Sequence, residues 1–166
     1  MKAIFKIFSL LFFLTVTTTN ASTLYDDSIN RGINAKCSSY LDQIEKSYGI
    51  NGLNITFAHP KKPSKFPSLH ISSQKYNNGS SFFSATLTPD EEYCYVSSIL
   101  ITSVNNQSCS DITKLKTETN PNLKVVTYSD GAYTILTPLD QSYQVILTVS
   151  DIGCTMSEIR MLWPGR

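Results

Sequence analysis

The sequence predicts an α+β domain, with two helices packed on an antiparallel sheet of about six to seven strands. Three observations carry this. Apolar residues recur at three- and four-residue spacing through Ile29, Ile33, Cys37, Leu41, Ile44 and Tyr48, the stripe of an amphipathic helix. Two strand pairs are punctuated by Asn78-Gly79 and Asp130-Gly131, pairs that tolerate the positive φ of a type I′ turn. Finally, residues 87–104, LTPDEEYCYVSSILITSV, return in shortened form at 136–152, LTPLDQSYQVILTVSDI. A hairpin precedes each copy, and a Cys-Ser pair on a predicted helix precedes each hairpin (Cys37-Ser38 and Cys109-Ser110). The chain reads as a diverged tandem repeat of helix, hairpin and long strand, with halves 28–104 and 109–163.

The compartment follows from the first residues. Residues 1–21 have a basic start (Lys2, Lys6), an apolar run from Ile7 to Val16 and a small-x-small close at Thr19-Asn20-Ala21, the layout of a cleaved signal peptide. The run falls short of the roughly 20 residues a membrane span needs. Residues 22–166 then form a single secreted, periplasmic or extracellular domain. Removing Lys2 and Lys6 from 14 basic residues leaves 12 against 13 acidic ones. So balanced a chain offers no general attraction to nucleic acid or anionic membrane.

Asp26, Asp27 and Ser28 offer an N-cap to a helix over 29–48, which Gly49 ends and Gly32 weakens. Residues 53–57 alternate as a short strand. Residues 59–68, HPKKPSKFPS, hold three prolines and three lysines and form an extended loop. A hairpin over 69–76 and 81–88 leads to a long strand at 93–104, apolar on both faces and so expected at the centre of a sheet covered on both sides. A short helix at 110–116, a hairpin over 123–128 and 132–137, and a clean strand from Tyr143 follow. The tail from Met156 alternates as a last strand.

Four cysteines in an exported chain predict two disulfides, with three pairings open. An unbroken strand at 93–104 carries Cys94 too far from Cys109 for that bridge. Aligning Tyr93 with Tyr143 across the repeat then favours Cys94–Cys154 with Cys37–Cys109. The spacings contain no Cys-x-x-Cys, so neither a metal nor a cofactor is expected.

No motif assigns a chemistry. There is no Gly-x-Ser-x-Gly elbow and no phosphate loop. His70 alternates with Leu69 and Ile71 and is expected to face solvent. His59 sits in the Pro-rich loop. The triplets beginning at Asn54, Asn78 and Asn106 match the glycosylation pattern. The candidate binding residues are His59, Lys61, Lys62 and Lys65, as a basic loop patch, and Tyr76 and Tyr133 beside the hairpin tips. The expected function is a secreted protein-binding module of inhibitor, immunity or effector type, acting through a protein partner. The alternatives are a small secreted hydrolase using His59 or His70, and a structural cell-envelope component.

Overall fold

A computed structural model describes residues 22–162; the predicted signal peptide, 1–21, and residues 163–166 lie outside it. The elements in order are α1 (Leu24–Asn30), α2 (Ala35–Tyr48), β1 (Leu53–Phe57), β2 (Ser68–Tyr76), β3 (Gly79–Pro89), β4 (Cys94–Asn105), α3 (Cys109–Thr119), β5 (Lys124–Tyr128), β6 (Tyr133–Thr137), β7 (Tyr143–Ser150) and β8 (Gly153–Leu162). The helix-on-antiparallel-sheet architecture is as expected, but with three α-helices and eight strands. The extra helix comes from Gly32. Its φ of 72° breaks the single helix expected over 29–48 into two. Thr23 caps α1, accepting from Asp26 N at 2.9 Å, and Asn34 restarts the chain as α2, its Oδ1 accepting from Lys36 N and Cys37 N. Gly49, in the left-handed region at φ 62°, closes α2 as expected.

The strands form one antiparallel sheet in the order β1-β2-β3-β4-β8-β7-β6-β5. The helices lie on one face. Beneath α1 and α2, Leu24, Ile33, Cys37 and Leu41 close with Phe83, Ala85, Leu87 and Val96 into one core. Beneath α3, Ile112 closes with Leu136, Val145 and Leu147 into a second.

The two halves of this sheet match strand for strand. In the first, Thr56 pairs with His70, His70 with Ala85 and Ala85 with Ser98. In the second, Val125 pairs with Leu136, Leu136 with Val145 and Val145 with Glu158. The halves meet where Ile99 pairs with Ile159, so an approximate twofold axis passes between these two isoleucines. Each half is a four-strand meander whose last strand lies at the sheet centre.

The disulfides differ from the expected pairing. They join Cys37 to Cys94 and Cys109 to Cys154, not Cys94 to Cys154 and Cys37 to Cys109. The physical reason is the sheet order. The partner of β4 across the axis is β8, whereas the strand at Tyr143, used to align the repeat, occupies the place of β3. Each bridge ties a helix start to the central strand of its own half.

Candidate functional site

The residue candidates from the sequence do not gather into one site. His59 stacks on Phe66 with ring centroids 4.5 Å apart, and its Nδ1 accepts from the backbone N–H groups of Lys61 and Lys62 at 3.2 and 3.1 Å. That ring folds the loop between β1 and β2 and leaves Lys61, Lys62 and Lys65 exposed. Tyr76 stands at the far end of β2 from this loop, on the helix side, its hydroxyl 3.0 Å from Ser81 Oγ. Tyr133 starts β6 on the opposite face, beyond the central strands.

His70 corrects the expectation of a solvent-facing histidine. It is 0% exposed. Its Nδ1 lies 3.1 Å from Thr56 Oγ1 and its Nε2 2.9 Å from Ser68 Oγ. Burial is the main cause that lowers its pKa to about 4, with Arg31 adding to the effect and Asp27 opposing it. The sequence misleads here because β2 is inverted. Its hydroxyl- and imidazole-bearing residues, Ser68, His70 and Ser72, are buried under the helices, while Leu69 and Ile71 point to the other side.

Two buried carboxylates complete the helix-side polar groups. Glu45 accepts from the backbone N–H groups of Leu24 and Tyr25 and so caps α1, while burial raises its pKa. Glu158 Oε1 accepts from Tyr48 Oη at 2.7 Å and from Arg160 Nε at 2.7 Å. The Arg160 guanidinium lies over the rings of Tyr48 and Tyr143, at 5.4 and 4.9 Å. Burial, then the bond to Glu158, raises the Tyr48 pKa.

The other face of the sheet has a different character. No described helix covers it, and one row of paired residues crosses all eight strands: Leu53, Ser73, Phe82, Ile101, Ser157, Ile146, Ile135 and Val126. A second row runs Ile55, Ile71, Ser84, Ile99 and Ile159. Phe57, Phe82, Met161 and Tyr133 are 56, 41, 49 and 47% exposed. Among the described strand residues, Lys75 and Lys124 are the charged side chains on this face, each near a strand end. Shallow cavities indent it, one of about 230 Å³ beside Ile99 and Ile159 and one of about 390 Å³ lined by Val126, Tyr128, Ile135 and Gln144. Seven strand spacings of about 4.8 Å give a width of roughly 34 Å. Over strands of this length the face is roughly 800 Å², the area one partner contributes to a standard protein interface.

Sequence reasoning missed this face because it read apolar residues on both sides of β4 as burial on both sides. The signal was present in the alternation of Ile55, Ile71, Ile99 and Ile159 with serine and threonine, which marks apolar surface diluted by small hydroxyls.

No protein-family model, curated protein or solved structure matches this chain. Among the described residues no helix is long and apolar enough to cross a membrane, and no group of His, Cys, Asp and Glu is placed to hold a metal ion.

Proposed function

We propose that this protein is a secreted, disulfide-stapled binding module, built by internal duplication, that engages a protein partner through the uncovered face of its sheet. The observation that carries the reading is a row of aliphatic and aromatic residues interspersed with serine that runs across all eight strands, with charge among the described strand residues of this face only at Lys75 and Lys124 near strand ends. The near absence of charge from the centre of a patch is the compositional mark of an interface core, and the exposed Phe57, Phe82, Tyr133 and Met161 are large apolar side chains of the kind enriched there. The two disulfides suit an oxidising compartment. The hydrolase reading finds less support. His70 has both ring nitrogens engaged by buried hydroxyls and His59 holds its own loop.

The test uses oxidised protein and a variant carrying Ile99→Lys with Ile159→Lys, placed at the centre of the face. The expected result is that the parent retains one stoichiometric protein from extracts of its organism and its competitors or hosts. The variant releases that protein while keeping its thermal transition. Retention unaffected by the two lysines would overturn the assignment of the face. Recovery of the parent only with insoluble envelope material would favour a structural component instead.

A further inference from the structure

We propose that the second half of the molecule holds a docking slot for a short amphipathic helix of a partner protein, at the place that α1 fills in the first half. The slot lies on the helix-bearing side of the sheet, so it is independent of the uncovered face. The two halves match in strand register and in their disulfides, yet α1 has no counterpart: β4 ends at Asn105 and α3 begins at Cys109.

The match between halves places Ser110, Thr113, Thr127 and Thr134 where the first half has Ser38, Leu41, Ala58 and Ser68. Ser38 and Leu41 are fully buried, and Leu41 shares a core with Leu24 and Ile33. Their counterparts line an open cavity of about 650 Å³, bounded also by Val149 and Ile152. The edge strands show the same contrast. Thr56 is 2% exposed under α1, whereas its counterpart Val125 is 41% exposed.

The chemistry of the slot defines its occupant. The hydroxyls of Thr113 and Thr117 donate back to the carbonyls of Cys109 and Thr113 at 2.8 and 3.0 Å. The flank of α3 therefore presents methyl groups, and small residues are what let a second helix approach closely. None of the residues lining the cavity is charged. The two buried residues of α1, Leu24 and, one turn later, Ser28, are likewise uncharged, while Asp26 points to solvent and the half-buried Asp27 is paired with Arg31. A partner helix with a leucine and a serine-sized residue four apart on its uncharged side complements the slot.

The probe is a synthetic, end-capped peptide of residues 22–34, which has this pattern, titrated into isotope-labelled oxidised protein followed by amide NMR. The expected result is saturable shifts at Ser110, Thr113, Thr127 and Thr134, weakened about tenfold or more by Thr113→Arg in the protein. Thr127→Arg is the second blocking variant should the first fail to fold. Replacing Leu24 by Asp in the peptide should abolish the shifts. An absence of saturable shifts up to about 1 mM peptide overturns the proposal. Shifts confined to α2, β1 and β2, which would mean exchange with α1 itself, also overturn it, as would occupancy of the cavity by dodecanoate but not by peptide.

Discussion

Acid should loosen this fold through His70, and the size of the effect follows from its surroundings. The imidazole is held neutral between Thr56 and Ser68, with a pKa of about 4 against an ordinary 6.5. A histidine whose pKa is lower in the folded than in the unfolded chain binds its proton more tightly when unfolded. Its contribution is therefore complete above pH 6.5 and drains away as the pH falls toward 4. Linkage gives a loss of about 2 kcal/mol between pH 8 and pH 5 and about 3 kcal/mol in all. The charged groups nearest the ring are Asp27 and Arg31 of the α1 segment, while Glu45, its own pKa raised by burial, shifts stability the opposite way as pH falls, so the His70 contribution is read as the difference between parent and variant. The assay is urea denaturation at half-unit steps from pH 8 to pH 4.5. The second half supplies the control, because Val125 and Leu136 stand where Thr56 and His70 stand in the first. The Thr56→Val, His70→Leu double variant should lose the pH slope between 6.5 and 5 without stranding the threonine hydroxyl. His70→Leu alone should also lose the slope, but from a baseline about 1–3 kcal/mol lower for the hydroxyls left unpaired. A double variant that keeps the parent's slope between pH 7 and 5 would refute the reasoning.

Further outcomes follow from the packing. A non-reduced peptide map should join Cys37 to Cys94 and Cys109 to Cys154, and replacing the second pair by alanine should cost about 2–4 kcal/mol in chemical denaturation. Arg160→Met should cost about 1–2 kcal/mol, since it takes the cation from the buried Glu158 carboxylate, but that cation is itself 40% exposed and Tyr48 still donates to the same oxygen. Glu158→Ser combined with Arg160→Leu, which copies Ser98 and Leu100 of the other half, should recover most of that loss in the same measurement.

The sequence exposed individual elements better than their neighbours. Alternation in β1, β3, β7 and β8 and the glycine that closes α2 are local signals, and local sterics decide them. The break at Gly32 was visible only as a weakening of one helix, because a single glycine does not announce a left-handed φ. β2 defeated the rule that apolar residues face the core. Its Ser-x-His-x-Ser side is buried because those groups satisfy one another and Thr56, a fact that depends on a strand 14 residues away. The disulfides were misassigned for a related reason. Which strand lies beside β4 is decided by how the second meander folds back, and the copied Leu-Thr-Pro segments pointed to the wrong one. The candidate face escaped notice because a residue list cannot say that helices lie on one side alone.

The position of β8 also sets an order of events. The chain completes β4 long before it makes β8, and these are the two strands that join the halves. During synthesis the first meander can therefore form its own Cys37–Cys94 bond, yet it carries the longest strand of the molecule as an unpaired edge. Such an edge is open to pairing with any other extended chain. That hazard lasts until residues 153–162 arrive, and this ten-residue strand is the closure that ends it.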